Sequence, residues 1–152
     1  MNTPTIQVAD LIAPTRAVAG LRARDKAALL VQLARLAAME AGTDPTALAS
    51  ALAAREALGS TGVGNGLALP HARLGAVAAP LTWLVRLARP IAYDAVDAAP
   101  VDLLVMLLSP EANDAAHLAA LAELSRQLRQ AEIATAVRAA PDATAMLAAL
   151  IG

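Results

Sequence analysis

Hydrophobic positions recur along this chain at two spacings, one helical and one of strand type, and glycine and proline mark where one gives way to the other. Between Asp25 and Gly42, Leu29, Leu33 and Leu36 form a stripe at helical spacing, with Asp25 placed to cap the start and Gly42 to end it. Asp44-Pro45 joins an N-cap to a proline at the first helical position, opening a second helix that carries Leu48 and Leu52 and stops near Gly59. The run from Gly59 to Gly66 is too rich in glycine for a regular element, and Leu67 to Leu69 reads as a short strand halted by Pro70 and His71. Leu81 to Leu87 alternates, with Trp83, Val85 and Leu87 against Thr82 and Arg86, as in a half-exposed strand. Val101 to Leu108 is almost unbroken apolar sequence closed by Ser109-Pro110, the pattern of a strand covered on both faces. Asn113 or Asp114 then caps a helix to Leu128 with Leu121, Leu124 and Leu128 on one stripe, and two short helices follow, Ile133 to Arg138 and Ala143 to Ile151. This order predicts an α/β fold in which helices flank a small mixed sheet. No internal repeat or linker divides residues 1–152, so one domain is expected.

Composition narrows the reading. Apolar residues make up 58% of 152, but there is no Phe, with one Trp and one Tyr, so Leu, Val, Ile and Ala must build the core. Twelve basic and thirteen acidic residues give a net charge of −1, spread along the chain, which provides no basic field for nucleic acid and no polybasic patch for a membrane surface. Mean hydropathy is positive. Even so, the longest charge-free run, Ala57 to Ala72, holds four Gly, a Pro, an Asn and a His, and a membrane-crossing helix needs roughly 20 mainly apolar residues. Met1 to Arg16 lacks an early positive charge before an apolar stretch, which argues against a signal peptide. Absent cysteine rules out disulfides and thiolate metal sites, and a cytoplasmic location without membrane insertion is expected. Lys26 is the only lysine, which disfavours Schiff-base chemistry.

Three residues draw attention as chemistry. His71 follows a strand and a proline behind the glycine run, whose flexible backbone can turn N–H groups toward an anion; otherwise it is a surface histidine. Arg55 and Arg73 bracket that run. Arg55 extends the Leu48/Leu52 stripe, either as a guanidinium snorkelling at a helix C-terminus or as one aimed at the loop. His117, in the first turn of its helix, is either a satisfied core histidine or the partner of His71. The glycine run follows a helix and precedes a strand, the reverse of a dinucleotide-binding turn, and lacks the Walker lysine. Two histidines without a Glu-x-x-His pattern are a weak metal site, and no Gly-x-Ser-x-Gly elbow is present. A histidine that attacks phosphorus while nearby donors neutralise the oxygens remains. Leu67, Leu69, Leu74 and Val77 bracket it in sequence as candidate contact surface.

The segment from Arg55 to Arg73, Arg-Glu-Ala-Leu-Gly-Ser-Thr-Gly-Val-Gly-Asn-Gly-Leu-Ala-Leu-Pro-His-Ala-Arg, resembles the signature of the fructose/mannitol/nitrogen-regulatory enzyme IIA family of the bacterial phosphotransferase system. Pro90-Ile-Ala-Tyr-Asp and His117-Leu118 resemble the family's later blocks, so the likeness spans nearly the whole chain. Asn65 stands where mannitol-type members carry an acid, and the Asn-Gly form looks more like the nitrogen-regulatory branch; Tyr93 replaces an expected phenylalanine. The resemblance implies a phosphoryl group taken from an HPr-type phosphocarrier onto His71 as tele-phosphohistidine, with no cofactor. It also implies that His117 is the second active-site histidine, that Arg55 binds phosphoryl oxygens, and that Thr61, Gly62, Asn65 and Arg73 give support. Three roles share these residues: a regulatory carrier acting on a target protein, a fructose-type sugar-permease IIA passing phosphate to a IIB component, and a binding module that is never phosphorylated. The sequence to Gly152 shows no attached IIB, IIC or HPr-like part, which favours the first.

Overall fold

A computed structural model describes Ile12 and residues 16–151. The stretch weighed as a signal peptide otherwise lies outside the described residues. Within them are six strands, β1 (Ala17–Leu21), β2 (Gly62–Gly64), β3 (Leu67–Ala68), β4 (His71–Leu74), β5 (Leu81–Ile91) and β6 (Val101–Pro110). Five helices accompany them, α1 (Lys26–Ala41), α2 (Pro45–Ala57), α3 (Asp114–Leu128), α4 (Ala131–Ala139) and α5 (Ala143–Ile151). The sheet runs β1-β5-β6-β3-β2, and β4 joins the same edge of β6 beyond β3. The β1–β5, β3–β6 and β4–β6 pairings are parallel, whereas β5–β6 and β2–β3 are antiparallel, so the expected mixed sheet is present.

Strand β6 sorts the interior into two layers. Its alternate residues Leu104, Met106 and Leu108 face α1 and α2 with Trp83, Val85 and Leu87 of β5. Leu103, Val105 and Leu107 face α3, α4 and α5 together with Leu84. Burial on both faces is what its uninterrupted apolar run predicts. The helix starts are capped as expected: Asp25 accepts from the Ala28 N–H at 2.8 Å, Asp44 from Thr46 and Ala47, and Asn113 from Ala116. Gly42 closes α1 in the left-handed region at φ 70°.

The structure departs from the sequence expectations in four places. Strand β5 is not half-exposed, because Thr82 and Leu84 are fully covered by the second helical layer. Arg86 turns inward as well, donating from Nη1 to the carbonyls of Val137, Arg138 and Ala140 at 3.0, 3.2 and 2.7 Å, where the α4 dipole and its free carbonyls favour a cation. Leu36 is 40% exposed, and the buried row of α1 is completed by Ala34, Ala37 and Ala41. The glycine run does contain a strand, β2, and His71 opens a strand rather than ending one. Finally, β1 was not anticipated, since Ala-Val-Ala-Gly-Leu alternates too weakly to stand out.

Glycine at position 62 is required by close approach. A Cβ there would lie 2.7 Å from Ala95 Cβ and 2.9 Å from Ala95 Cα, a collision with backbone. Gly62→Ala is expected to cost about 1–3 kcal/mol, read as a lowered urea midpoint with an unchanged slope.

Candidate active site

His71 is held from both sides of its ring. Pro70 supplies a carbonyl to the Leu107 N–H at 3.0 Å, which carries the β6 edge from β3 across to β4 and sets His71 opposite Leu107. The His71 Nδ1–H donates to the Leu69 carbonyl at 2.8 Å. Since a carbonyl can only accept, the proton sits on Nδ1 and the lone pair on Nε2. Arg55 Nε donates to that Nε2 at 3.1 Å, while its Nη1 donates to the Gly59 carbonyl at 2.8 Å. Burial, followed by the Arg55 charge, holds the His71 pKa below the ordinary 6.5, against the opposing effects of the Leu69 bond and Glu56.

His117 comes from the other helical layer. It lies in the first turn of α3, buried, with its ring centroid 5.3 Å from that of His71 and tilted by 49°. Its Nδ1 is 2.8 Å from Ser109 Oγ at the end of β6. Burial lowers its pKa, and the charges that His71 and Arg73 would present lower it further, partly offset by Asp114. Arg73 is braced beside it by an ion pair with Asp114 and by bonds from Nη2 to the carbonyls of Pro110 (3.2 Å) and Glu111 (2.7 Å). Arg73 Nε is buried and has no partner among the described residues.

The structure thus brings together His71, His117 and Arg55, with Arg73 alongside. Thr61, Gly62 and Asn65 are a different matter. The Thr61 N–H is taken by the Glu56 carboxylate and its hydroxyl faces the Tyr93 hydroxyl at 3.2 Å. The Gly62 N–H donates to Ser60 Oγ at 3.0 Å. The Asn65 N–H is bound by Asp97, and the Gly66 carbonyl beside it accepts from Asp102 and Leu103. That level of β6 is roughly 15 Å below Leu107, at about 3.3 Å per residue. From Thr61 to Gly66 the run is a hairpin whose N–H groups at Thr61, Gly62 and Asn65 bond Glu56, Ser60 and Asp97; its tip lies away from His71, and its Thr61 carbonyl accepts from the Leu69 N–H at 3.0 Å, two residues before that histidine. Of the expected contact surface, Leu67, Leu69 and Val77 are buried and Leu74 is half-buried, while Leu118, beside His117 in sequence, and Leu58, at the C-cap of α2, are exposed (64% and 85%).

Sequence reasoning missed Glu56. The buried row of α2 is Leu48, Leu52 and Glu56 at successive intervals of four, so the acid, not Arg55, continues the stripe. An acid on the core row of a helix was the available signal. It also missed Ser109 and the Leu69 carbonyl, which orient the two rings. No group of three or more His, Asp or Glu among the described residues is arranged to hold a metal ion, and no described helix is long and apolar enough to cross a membrane. What the site offers is a neutral imidazole with its Nε2 lone pair aimed at a guanidinium, and a second buried imidazole and a second guanidinium next to it.

Residues 11–151 match the sequence family described as phosphoenolpyruvate-dependent sugar phosphotransferase system, EIIA 2. A nitrogen regulatory protein of Bradyrhizobium diazoefficiens is 40% identical over 143 residues, covering 94% of each chain. Another, from Pseudomonas aeruginosa, is 37% identical over 142 residues, covering 93% of this chain and 92% of its own. The crystal structure of nitrogen regulatory protein IIA-Ntr from Neisseria meningitidis superposes with a TM-score of 0.89 at 29% identity, covering 94% of this chain and 98% of that one.

The lowered pKa values of both histidines have a consequence for stability. A base whose folded pKa lies below its unfolded value binds more protons when unfolded, so its contribution is complete above pH 6.5 and is lost as pH falls through the folded value. Urea midpoints measured from pH 7.5 downward are expected to fall below pH 6.5, and His71→Gln/His117→Gln is expected to flatten that fall. Nitrogen NMR of wild type should show His71 neutral at pH 7 with its proton on Nδ1.

Proposed function

The chain belongs to the EIIA type 2 family of the phosphoenolpyruvate-dependent sugar phosphotransferase system, and on that premise we propose that it is a cytoplasmic regulatory phosphoryl carrier that accepts a phosphoryl group on Nε2 of His71 from an HPr-type phosphocarrier. The observation that carries this reading is the pair of bonds that hold His71: Leu69 fixes the proton on Nδ1, which leaves Nε2 as the nucleophile, and Arg55 already reaches that nitrogen. The regulatory role is supported by similarity to proteins named nitrogen regulatory protein, at 37% and 40% identity over almost the full length.

The reaction asks little of the protein beyond position and charge. The Nε2 lone pair of His71 attacks phosphorus in line as the P–N bond of the donor's phosphohistidine breaks; the donor ring, protonated on its other nitrogen, takes back the electron pair and leaves as a neutral imidazole. One P–N bond replaces another, so the exchange is close to balanced. Arg55 must first release Nε2. Its guanidinium is then beside the arriving oxygens and stabilises them, a positioning effect that needs no large movement. The Nδ1–H bond to Leu69 persists after transfer and keeps the ring oriented. His117, held by Ser109, and Arg73, whose Nε has no partner among the described residues, supply further donors on the α3 side. The phosphoryl group adds about 1.5–2 negative charges to a chain of net charge −1, and Leu118, next to His117 in sequence, is an exposed apolar side chain. A regulated target docked there by apolar contact and its own carboxylates is released by that charge.

Incubation with phosphoenolpyruvate, enzyme I and HPr should label His71 alone, and His71→Ala should abolish labelling. Label on His117, or normal labelling of His71→Ala, overturns the assignment. Arg55→Ala and His117→Ala should each remain folded and slow transfer by roughly 10²–10³, the usual cost of one stabilising donor; rates within twofold of wild type would make both structural. A target protein that binds the phosphorylated and unmodified forms equally would remove the switch, and rapid onward transfer to a IIB component would replace the regulatory role with the sugar-permease one.

A further inference from the structure

Beneath the Arg55–His71 pair lies a buried polar network that the transfer reaction does not use directly. Glu56 and Arg55 are adjacent on α2, so their side chains diverge by about 100° around the helix. Arg55 goes to His71, and Glu56 goes inward with its side chain 5% exposed. Its carboxylate accepts from Lys26 Nζ at 2.9 Å and from the Thr61 N–H at 3.1 and 3.2 Å. Lys26, the chain's one lysine, also donates to the Tyr93 carbonyl at 3.2 Å and sits 4.4 Å above the Tyr93 ring. Ser60 Oγ donates to the same carbonyl at 2.9 Å. A carboxylate this buried is tolerated only with its charge paired and its oxygens occupied, and both conditions are met.

The geometry ties this network to the nucleophile. After α2 the chain turns through Leu58, Gly59 and Ser60, and the bond from Thr61 N–H back to Glu56 closes that turn. Gly59 lies inside it, and its carbonyl holds Arg55 Nη1 at 2.8 Å while Arg55 Nε meets His71. The turn therefore fixes one edge of the guanidinium and His71 the other. We propose that Glu56 is a positioning residue for phosphoryl transfer, acting through the closed Glu56–Thr61 turn and the Gly59 carbonyl to hold Arg55 in register with Nε2 of His71. The inference rests on the phosphoryl-carrier reading for its effect on rate, but the linkage itself is independent of that reading.

Two substitutions separate reach from charge. Glu56→Asp keeps a carboxylate beside Lys26 and is one methylene short of the Thr61 N–H; Glu56→Gln keeps an oxygen within reach and gives up the charge. With phosphorylated HPr as donor to the full chain, Glu56→Asp should slow transfer by roughly tenfold, the order expected when a stabilising group is displaced by less than 1 Å, and Glu56→Gln should recover most of that loss. Replacing Arg55 as well is decisive. If Glu56 acts through Arg55, Glu56→Asp costs no further rate in an Arg55→Ala background. An equal tenfold loss in both backgrounds, or wild-type rates for Glu56→Asp, would overturn the proposal. Protection of the Arg55 Nε–H from hydrogen exchange gives a second readout that needs no phosphoryl transfer. It should be lost in Glu56→Asp and kept in Glu56→Gln, and its retention in Glu56→Asp would likewise end the proposal. Should wild type accept no phosphoryl group from HPr, the carrier reading fails by itself and the exchange measurement still decides the linkage.

Discussion

Strand β6 is the constraint on which the rest of the molecule depends. It is covered on both faces and paired on both edges, so its residues set four boundaries at once: the two helical layers, the position of β5 and the line followed by β3 and β4. The groups of the candidate site are hung from its upper half. His71 lies level with Leu107, Ser109 orients His117, and the chain leaving Pro110 turns into the helix that carries His117. Arg55 arrives from the opposite layer. Two histidines separated by 46 positions in sequence can meet because one strand gives both of their elements the same reference frame.

That frame explains what could be read from the sequence. Helices announced themselves through caps, since Asp25, Asp44 and Asn113 act locally and their side chains bond the first-turn N–H groups regardless of the fold. The long apolar run of β6 gave away its double burial. Strand β5 misled because both of its polar members turn inward, Arg86 onto the free carbonyls at the end of a helix far along the chain and Thr82 with a buried hydroxyl that has no partner among the described residues. Alternation signals water on one side only if no second layer is waiting there. Strand β1 carried too little contrast between its faces to register at all.

At the site, residue type and neighbourhood were enough to single out His71, His117 and Arg55, and the structure brings these three together. What escaped was the supporting detail. The glycine run looked like free donors because its partners, Glu56, Ser60 and Asp97, lie on other segments or point backward along the chain. Glu56 was overshadowed by its charged neighbour, although its place on the Leu48/Leu52 row marked it as the residue facing inward. A polar group on a core row carries more information than a polar group beside a loop, because burial forces it to find partners.

The bond from Arg55 to His71 has a further meaning when the protein is at rest. A lone pair that already accepts a hydrogen bond is shielded, and any small electrophile reaching the His71 ring meets an occupied nitrogen. To reach it, an incoming group must offer the guanidinium something better than the imidazole, which is what a doubly charged phosphoryl oxygen cluster does and a neutral acylating or alkylating agent does not. On the proposed carrier reading, one contact both awaits the phosphoryl oxygens and insulates the empty ring. In that reading, preference for a phosphoryl group comes from competition for a single donor.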